Sequence, residues 1–301
     1  MNPNIISESL STPVPRTRRQ VLKGLGAGAA GLAAMRMLGG TARAATTAID
    51  DVDVLQFALN LEYLEAEYYL YATTGQGLPP QDITGTGTQG TTTIKPNPIV
   101  PFQTSLYEQY AIELARDERD HVEYLRATLT SLGVTPVARP PLDLLNSFNT
   151  LAQAAGIGPS FDPFANEVNF LLGGFIFEDV GVTAYRGGAR IIVNHDLLFA
   201  AAGVLGTEGY HAGNIRGTLL SLNDQTVIDT AAKISDLRDS LDGPGGDDAG
   251  LVHNGVANVT LTDPQGLVYA RTPRQVLNIL YGAPGVHSGL FFPSGLNGNI
   301  S

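Results

Sequence analysis

Two glutamate–histidine pairs in this 301-residue chain have the spacing needed to bind a metal ion. They are Glu118 with His121 and Glu208 with His211. Residues three apart on a helix point to one side, one turn above the other, and a carboxylate and an imidazole together can hold a transition metal. A single such pair is weak evidence, because charged pairs at this spacing usually lie on a solvated helix face. Two pairs favour a shared metal site.

Two other helical runs each carry a glutamate among apolar residues, Glu62 and Glu178. A glutamate in such company is costly to bury ionised unless a cation compensates it, although Glu178 could instead point to the surface. Glu, Glu-x-x-His, Glu and Glu-x-x-His, in that order, form the ligand set of a carboxylate-bridged di-metal site in a four-helix bundle. The prediction depends on the order and number of the motifs rather than on any one of them.

Three glutamates in the first helical run compete for the ligand position: Glu62, Glu65 and Glu67. Glu65 is three residues from Glu62 and could face the same side. Glu62 is preferred, because Tyr69 lies seven residues later and returns to its face. Glu67 fits a solvated acidic face best.

Four long helices are needed to position these residues, and helical periodicity between turn signals predicts them. They cover approximately residues 50–73, 101–132, 163–193 and 196–222. The last of them contains five glycines between residues 203 and 217. Because each glycine weakens a helix by up to ~1 kcal/mol relative to alanine, this helix is expected to be buried and tightly packed.

The connections between these helices also indicate a fold. Residues 74–100 are rich in Gly, Thr and Pro and predict an elaborated loop. Residues 135–163 predict a long connection with a short helix at about 142–155. Such a crossover lets the second and third helices run in the same direction. The expected fold class is therefore all-α, a four-helix bundle with a long crossover between helices two and three.

These motifs resemble those of the ferritin-like superfamily. Residues 59–62 (Leu-Asn-Leu-Glu) followed by Tyr69 are similar to the first helix of ferritins, and residues 118–123 (Glu-Arg-Asp-His-Val-Glu) are similar to the second. The Glu208–His211 pair resembles the fourth helix of bacterioferritins more than that of animal ferritins. As a whole, the chain resembles exported ferritin-like proteins related to plant desiccation-related proteins.

The resemblance implies a particular arrangement of ligands. By analogy, the bridging ligands would be Glu118 and Glu208, and the terminal ligands would be Glu62 with His121 on one metal and Glu178 with His211 on the other. Six protein ligands leave open positions on each metal. The expected cofactor is two iron ions, with two manganese ions as the alternative, and the expected partner is a small oxidant such as oxygen or peroxide.

Two functions from different classes follow. The first is an oxidoreductase of the ferroxidase, oxidase or catalase type. The alternative is a stress or desiccation-related structural protein in which the bundle has no catalytic role. Iron storage in a hollow shell is a weaker variant of the first, because the shell would have to accommodate the long loop and the C-terminal extension. A homo-oligomer is compatible with each of these functions.

The first 44 residues are expected to be a targeting segment. Residues 17–23 (Thr-Arg-Arg-Gln-Val-Leu-Lys) resemble the twin-arginine export motif, residues 24–34 form an apolar stretch, and residues 42–44 (Ala-Arg-Ala) offer a cleavage site. The apolar stretch is too weak for a stable membrane span. We therefore expect a signal peptide at 1–44 and a periplasmic or extracellular protein that has no membrane association after cleavage.

Composition excludes several classes of site and partner. There are no cysteines, so disulfides, zinc–thiolate sites and thiol nucleophiles are excluded, and a metal would have to be held by His and carboxylate. The formal net charge is −11. Removing residues 1–44 takes away six basic residues and one acidic residue, which leaves −16. Such a protein should repel nucleic acid and anionic membranes.

The bundle is expected at residues 45–223, followed by an extension at 224–301. Within the extension we expect a helix at 225–241, a β-hairpin from 256–262 and 267–271, and a short helix at 274–281. The loop containing Asp242, Asp247 and Asp248 has the oxygen ligands that calcium prefers, but it lacks EF-hand spacing and no calcium site is predicted. His195 and His253 lack partners at ligand spacing and are expected to be cap or surface residues.

Overall fold

The computed structural model describes residues 49–301, so the expected signal peptide lies outside the described residues. The helices are α1 (Asp51–Thr74), α2 (Ser105–Ser131), α3 (Asn146–Ala154), α4 (Glu167–Gly188), α5 (His195–Ser221), α6 (Gln225–Asp242) and α7 (Pro273–Tyr281). The bundle consists of α1, α2, α4 and α5, in which α1 packs mainly on α2 and α4 mainly on α5. This confirms the predicted all-α fold. Among these helices, none has the length and apolarity needed to cross a membrane.

Local sequence signals and tertiary contacts together set the ends of the bundle helices. Asp50 and Asp53 cap the start of α1 reciprocally, each accepting the backbone N–H of the other. Helix α2 begins four residues after its predicted start. The backbone N–H groups of residues 103 and 104 donate to the Glu167 carboxylate at the start of α4, which holds these residues outside the helix. Helix α4 ends five residues before its predicted end. The backbone N–H groups of residues 193 and 194 donate to the Asp51 carboxylate on α1, so this segment is held by α1 and does not continue the helix.

The two long connections pair with each other. Strand β1 (Thr92–Thr93), in the loop after α1, runs parallel to β2 (Leu142–Asp143), in the crossover between α2 and α4. A short 3₁₀ turn at Pro80–Asp82 precedes β1. The loop after α1 therefore folds against the crossover.

The C-terminal residues complete the core of the bundle. The ring of Phe291 lies 4.9 Å from that of Phe177 on α4 and 5.2 Å from that of Phe148 on α3. Asn60 on α1 donates a side-chain hydrogen bond to the carbonyl of Asn297 and accepts one from its N–H. The irregular tail thus packs into the same core as the helices.

One face of α5 is open, which contradicts the expectation of a tightly packed helix. A Cβ atom built at Gly203, Gly206, Gly209 or Gly213 would have no neighbour within 4 Å, and Phe199 on the same helix is 82% exposed. The buried residues of α5 lie on its other face. This buried face carries apolar residues that pack in the core, together with Glu208 and His211, and its contacts hold the helix in place.

The small C-terminal hairpin lies a few residues before its predicted position. It is formed by β3 (Val252–His253) and β4 (Val256–Ala257), which are antiparallel. The strands predicted at 256–262 and 267–271 contribute one bridge, between Thr262 and Val268. The guanidinium of Arg216 on α5 donates to the carbonyl of Asn258. This contact holds the segment after β4 against the bundle, and the hairpin does not extend through it.

Candidate metal centre

The structure brings all six predicted ligand residues together in the middle of the bundle. Each bundle helix contributes its own motif: α1 gives Glu62, α2 gives Glu118 and His121, α4 gives Glu178, and α5 gives Glu208 and His211. The four glutamates are fully buried, and the histidines are 9% and 5% exposed. The six residues form two groups, each with ligand atoms within 4.8 Å of one another, and Glu118 and Glu208 belong to both groups.

Glu118 lies between the two histidines. Its Oε2 is 3.2 Å from Nδ1 of His121, and its Oε1 is 2.8 Å from Nδ1 of His211. The two imidazole rings are 6.3 Å apart between centroids. One carboxylate therefore presents a different oxygen to each half of the site, which is the geometry of a bridging ligand.

The remaining glutamates take equivalent positions in the two halves. Oε2 of Glu62 is 3.2 Å from Nδ1 of His121, and Oε2 of Glu178 is 3.4 Å from Nδ1 of His211. Glu208, the second shared carboxylate, has Oε1 at 3.6 Å from Nδ1 of His121. Each half thus contains one histidine, one glutamate of its own and the two shared glutamates.

Two buried tyrosines hold the outer glutamates across the bundle. Tyr69 on α1 donates a 2.5 Å hydrogen bond to Oε1 of Glu178 on α4, and Tyr185 on α4 donates one to Oε1 of Glu62 on α1. Each tyrosine also lies seven residues after the glutamate of its own helix, Tyr69 after Glu62 and Tyr185 after Glu178, and therefore on the same helix face. In the structure each tyrosine instead supports the glutamate of the opposite helix. The other oxygen of each glutamate remains directed to a histidine.

The donor set fits two divalent cations. Both oxygens of Glu208 are buried and have no hydrogen-bond partner, and Oε1 of Glu118 and Oε2 of Glu178 share a single polar neighbour, Nδ1 of His211. A buried polar atom without a partner costs on the order of 1–3 kcal/mol. Two divalent ions would neutralise four carboxylates and give these atoms partners, and mixed carboxylate and imidazole ligands suit iron or manganese.

Protonation equilibria show how strongly the site needs positive charge. Burial raises the pKa of Glu62 to about 7, and burial with the surrounding carboxylates raises the pKa of Glu208 well above its ordinary value. Burial also opposes ionisation of Glu118, but His121 and His211 outweigh it and lower the pKa of Glu118. Burial lowers the pKa of His121, but Glu62 and Glu118 outweigh it and raise that pKa to about 12. Carboxylates with raised pKa values in a buried group favour the uptake of either protons or metal cations.

The sequence left Glu65 as an open alternative and did not indicate the role of Gly181. Glu65 is 4% exposed, and burial raises its pKa well above its ordinary value, with Glu118 and Glu62 adding to the effect. A Cβ atom on Gly181 would lie 2.3 Å from Oε2 of Glu208 and 3.2 Å from Oε1 of Glu65. Gly181 follows Glu178 by three residues, as Glu65 follows Glu62. An alignment of α1 with α4 would therefore have paired Gly181 with Glu65 and indicated this position.

Asp117 also contacts the candidate site, and the motifs did not indicate it. Its Oδ2 lies 3.4 Å from Nε2 of His211, and Arg116 donates a 2.9 Å hydrogen bond to its Oδ1. Burial opposes ionisation of Asp117, but contacts with His211 and Arg116 lower its pKa overall. A carboxylate on the outer nitrogen of a ligand histidine fixes the orientation of its ring. A pocket of about 340 Å³, lined in part by Asp117 and His211, borders this side of the site.

Glu67 is not on a solvated face, so the expectation for it was wrong. It is fully buried, and its Oε1 lies 2.5 Å from Nη1 of Arg139. It also accepts hydrogen bonds from the N–H of Leu78 and the hydroxyl of Thr92. The loop after α1 and the crossover fold over Glu67 and supply these donors. His195 and His253 are exposed, as expected.

Comparison with known proteins agrees with the fold and the motifs. Residues 50–221 match the family model described as Ferritin-like domain. The chain is 30% identical over 275 residues to the ferritin-like catalase Nec2 of Nesocodon mauritianus, which covers 83% of this chain and 85% of the relative. It is 33% identical over 249 residues to the desiccation-related protein PCC13-62 of Craterostigma plantagineum, which covers 75% and 76% respectively. No solved structure matches. The chain belongs to the ferritin-like superfamily, within a group that includes desiccation-related proteins.

Proposed function

We propose that this protein binds two iron ions, or two manganese ions, and uses them in redox chemistry with peroxide or oxygen. The observation that carries the proposal is the position of Glu118, whose two oxygens contact two different histidines at 3.2 and 2.8 Å. Glu118 and Glu208 would bridge the ions. Glu62 and His121 would complete the coordination of one ion, and Glu178 and His211 would complete that of the other.

The surrounding residues support redox chemistry rather than a closed structural site. When bound, a pair of such ions supplies one-electron steps and open coordination positions for a small oxidant. The pocket beside His211 gives a small molecule a way to approach one half of the site. Asp117 orients the His211 ring, and the two tyrosines fix the outer glutamates, so the ligands are held in place before an ion arrives.

Peroxide is the oxidant that we favour. The relative from Nesocodon mauritianus is named a ferritin-like catalase, and the match covers most of both chains. In a catalase reaction two molecules of hydrogen peroxide give one of dioxygen and two of water, so the site needs no separate reductant. Groups at the site would take up and return the protons that peroxide exchanges in this reaction. The raised pKa of Glu65 favours its protonated form and makes it a candidate to carry such a proton.

The test begins with metal analysis of the purified full chain and continues with peroxide turnover. We expect two iron or manganese ions per chain and oxygen release from hydrogen peroxide. Replacing His121 and His211 by Leu should remove both. The matched control replaces His195 and His253 by Leu, since these histidines are exposed and lie outside the site. If the purified chain and the control hold no metal after incubation with excess Fe²⁺ or Mn²⁺, the proposal fails.

A structural role without catalysis is the second candidate. The observation that favours it is the similarity to a relative named a desiccation-related protein. Under this alternative the chain would hold metal, or none, and show no turnover with peroxide or oxygen. If a correctly folded protein binds metal but shows no turnover of peroxide or oxygen, the structural role is the correct one.

We also propose that the protein is exported by the twin-arginine route to the periplasm or the cell exterior. The support is the Arg-Arg motif at residues 18–19 and the small residues at 42–44. Replacing both arginines by Lys should retain the protein in the cytoplasm. Fractionation of expressing cells would test this, and unchanged export would contradict the proposal.

A further inference from the structure

We propose that Asp239, Asp242 and Asp247 hold a calcium ion at the end of α6, in a site separate from the di-metal centre. One carboxylate oxygen from each lies within 4.8 Å of one from each of the others. Asp239 and Asp242 are three apart in the last turn of α6 and share a face. Asp247 comes from the loop that follows, which folds back on this turn.

The carboxylates of this group contain buried oxygens that have no donor. Asp242 is 5% exposed and Asp247 is 8% exposed. In all three aspartates Oδ1 is buried and accepts no hydrogen bond, and Oδ1 of Asp247 lies 3.7 Å from Nη2 of Arg271. Arg271 engages Asp242 through the other oxygen, with Nε 2.5 Å from Oδ2. Buried carboxylate oxygens that face other carboxylates are unfavourable unless a cation lies between them.

The neighbouring arginines neutralise the group only in part. Arg238 binds Asp179 and Asp248, with Nη2 at 2.8 and 2.7 Å. Arg216 also binds Asp179, and Arg271 binds Asp242 and Asp248 and has its Nη2 3.7 Å from Oδ1 of Asp247. This connected network contains three arginines and, with Asp239 and Asp247, five aspartates. Two negative charges remain, which is the charge that one divalent cation would balance.

Asp248, the other aspartate of the acidic loop, is not a member of this group. The loop lacks EF-hand spacing, which is why the sequence predicts no calcium site there. In the structure both oxygens of Asp248 are bound, Oδ1 by Arg238 and Oδ2 by Arg271. Asp239 takes its place beside Asp242, because one turn of helix separates them.

The chemistry of the group selects a hard cation. Its ligands are carboxylate oxygens alone, which calcium prefers, and calcium accepts irregular geometry with water filling its other positions. Burial and the nearby Asp247 raise the pKa of Asp242 to about 6, although Arg271 acts in the opposite direction. A bound calcium would fix the loop after α6 to that helix and, through the arginines, to α4 and α5.

Calcium titration of the chelator-stripped full chain tests the site. We expect one calcium ion per chain and a higher melting temperature with calcium. Asp239→Asn removes one ligand charge and leaves the arginine contacts intact, so it should weaken calcium binding by at least about tenfold. The matched control is Asp236→Asn, an exposed aspartate on the same helix. It should bind calcium as the unmodified chain does.

Asp247→Asn, in the loop, provides a second variant if Asp239→Asn does not fold, and it should show the same loss. Absence of calcium binding by the unmodified chain would overturn the proposal. So would equal binding by Asp239→Asn and Asp236→Asn, because the ion would then lie elsewhere, for example among the six residues of the di-metal centre. Neither result affects the proposed function, since none of these aspartates contacts that centre.

Discussion

The two halves of the metal centre are alike in their ligands. The half from α1 and α2 has Glu62, Tyr69, Glu118 and His121, and the half from α4 and α5 has Glu178, Tyr185, Glu208 and His211. In each half seven residues separate the single glutamate from the tyrosine, and three separate the paired glutamate from the histidine. The tyrosines exchange partners between the halves, and Glu118 contacts both histidines. This shared pattern is what a pair of bridged ions requires.

The halves differ at the positions around these ligands. Three residues after the single glutamate, α1 has Glu65 and α4 has Gly181. Just before the Glu-x-x-His motif, α2 has Asp117 and α5 has Thr207. Gly181 leaves the space that the carboxylates of Glu65 and Glu208 occupy, and Asp117 supports the histidine beside the pocket. Under the proposed function, the symmetric positions would hold the two ions, and the asymmetric positions would govern proton supply and access to the ion beside His211.

The largest expected effect comes from removing the shared carboxylate. Glu118→Ala should abolish binding of both ions, because Glu118 contributes an oxygen to each half. Glu62→Ala should remove one ion and leave the other. Metal stoichiometry by elemental analysis separates the two results. Equal loss in the two variants would contradict the assignment of Glu118 as the bridge and Glu62 as a terminal ligand.

A smaller but substantial effect is expected at the glycine that makes the halves unequal. In Gly181→Ala the new Cβ atom would lie 2.3 Å from Oε2 of Glu208. Such overpacking typically costs about 1–3 kcal/mol of folding stability, and displacement of the carboxylate should weaken metal binding. Thermal unfolding with and without metal measures both effects.

Gly206→Ala is the control for that variant. It lies on the open face of α5, where a Cβ atom has no neighbour within 4 Å. Replacing a helical glycine by alanine in open space should stabilise the protein by up to ~1 kcal/mol and leave metal binding unchanged. If Gly181→Ala also stabilises the protein, the close approach at Glu208 does not matter energetically.

Sequence predicted the symmetric part of the centre better than the asymmetric part. The six residues that the structure brings together follow from helical spacing and motif order, which depend on residues within one helix. Glu67 and α5 were misjudged because their environments come from distant segments: Arg139 reaches Glu67 from the crossover, and no element covers the glycine face of α5 in the part of the chain that the structure describes. Asp117 and Gly181 matter through contacts between helices, which periodicity within one helix does not contain.

A change of pH should alter the stability of the metal-free protein by roughly 3 kcal/mol at most through Glu62. The pKa of Glu62 in the folded protein is about 7, above its ordinary value of 4.5. In the metal-free protein the stabilising contribution of this proton is present below pH 4.5 and is lost as pH rises through 7. Metal replaces the proton, so metal binding should strengthen over the same range.

The difference in melting temperature between loaded and metal-free protein should therefore grow from pH 5 to pH 7.5. At a hundredfold excess of metal over its dissociation constant the gain is roughly 2.7 kcal/mol. Calorimetry of both forms at several pH values, with the same free metal concentration, tests this. A gain that is constant or falls as pH rises would show that the ligands do not lose protons when metal binds.

The smallest effect is expected at Asp117, which acts through His211. Asp117→Asn removes the negative charge 3.4 Å from Nε2 of His211 and keeps the size of the side chain. Loss of such a partner typically weakens metal binding by about tenfold or somewhat more, and here only the ion beside His211 should be affected. Thr207→Ala is the matched change at the equivalent position of α5, which lines the same pocket. It should have little effect, because the Thr207 hydroxyl contacts the carbonyl of Gly203 in its own helix.

Variants that retain a single ion identify which half is affected. Glu62→Ala should keep the ion beside His211, and adding Asp117→Asn should weaken its binding by the same factor as in the unmodified chain. Glu178→Ala should keep the ion beside His121, and adding Asp117→Asn should then change nothing. Calorimetric titration of the four proteins gives these factors. An equal effect of Asp117→Asn in both backgrounds would mean that Asp117 acts on the whole site through its charge rather than by orienting His211.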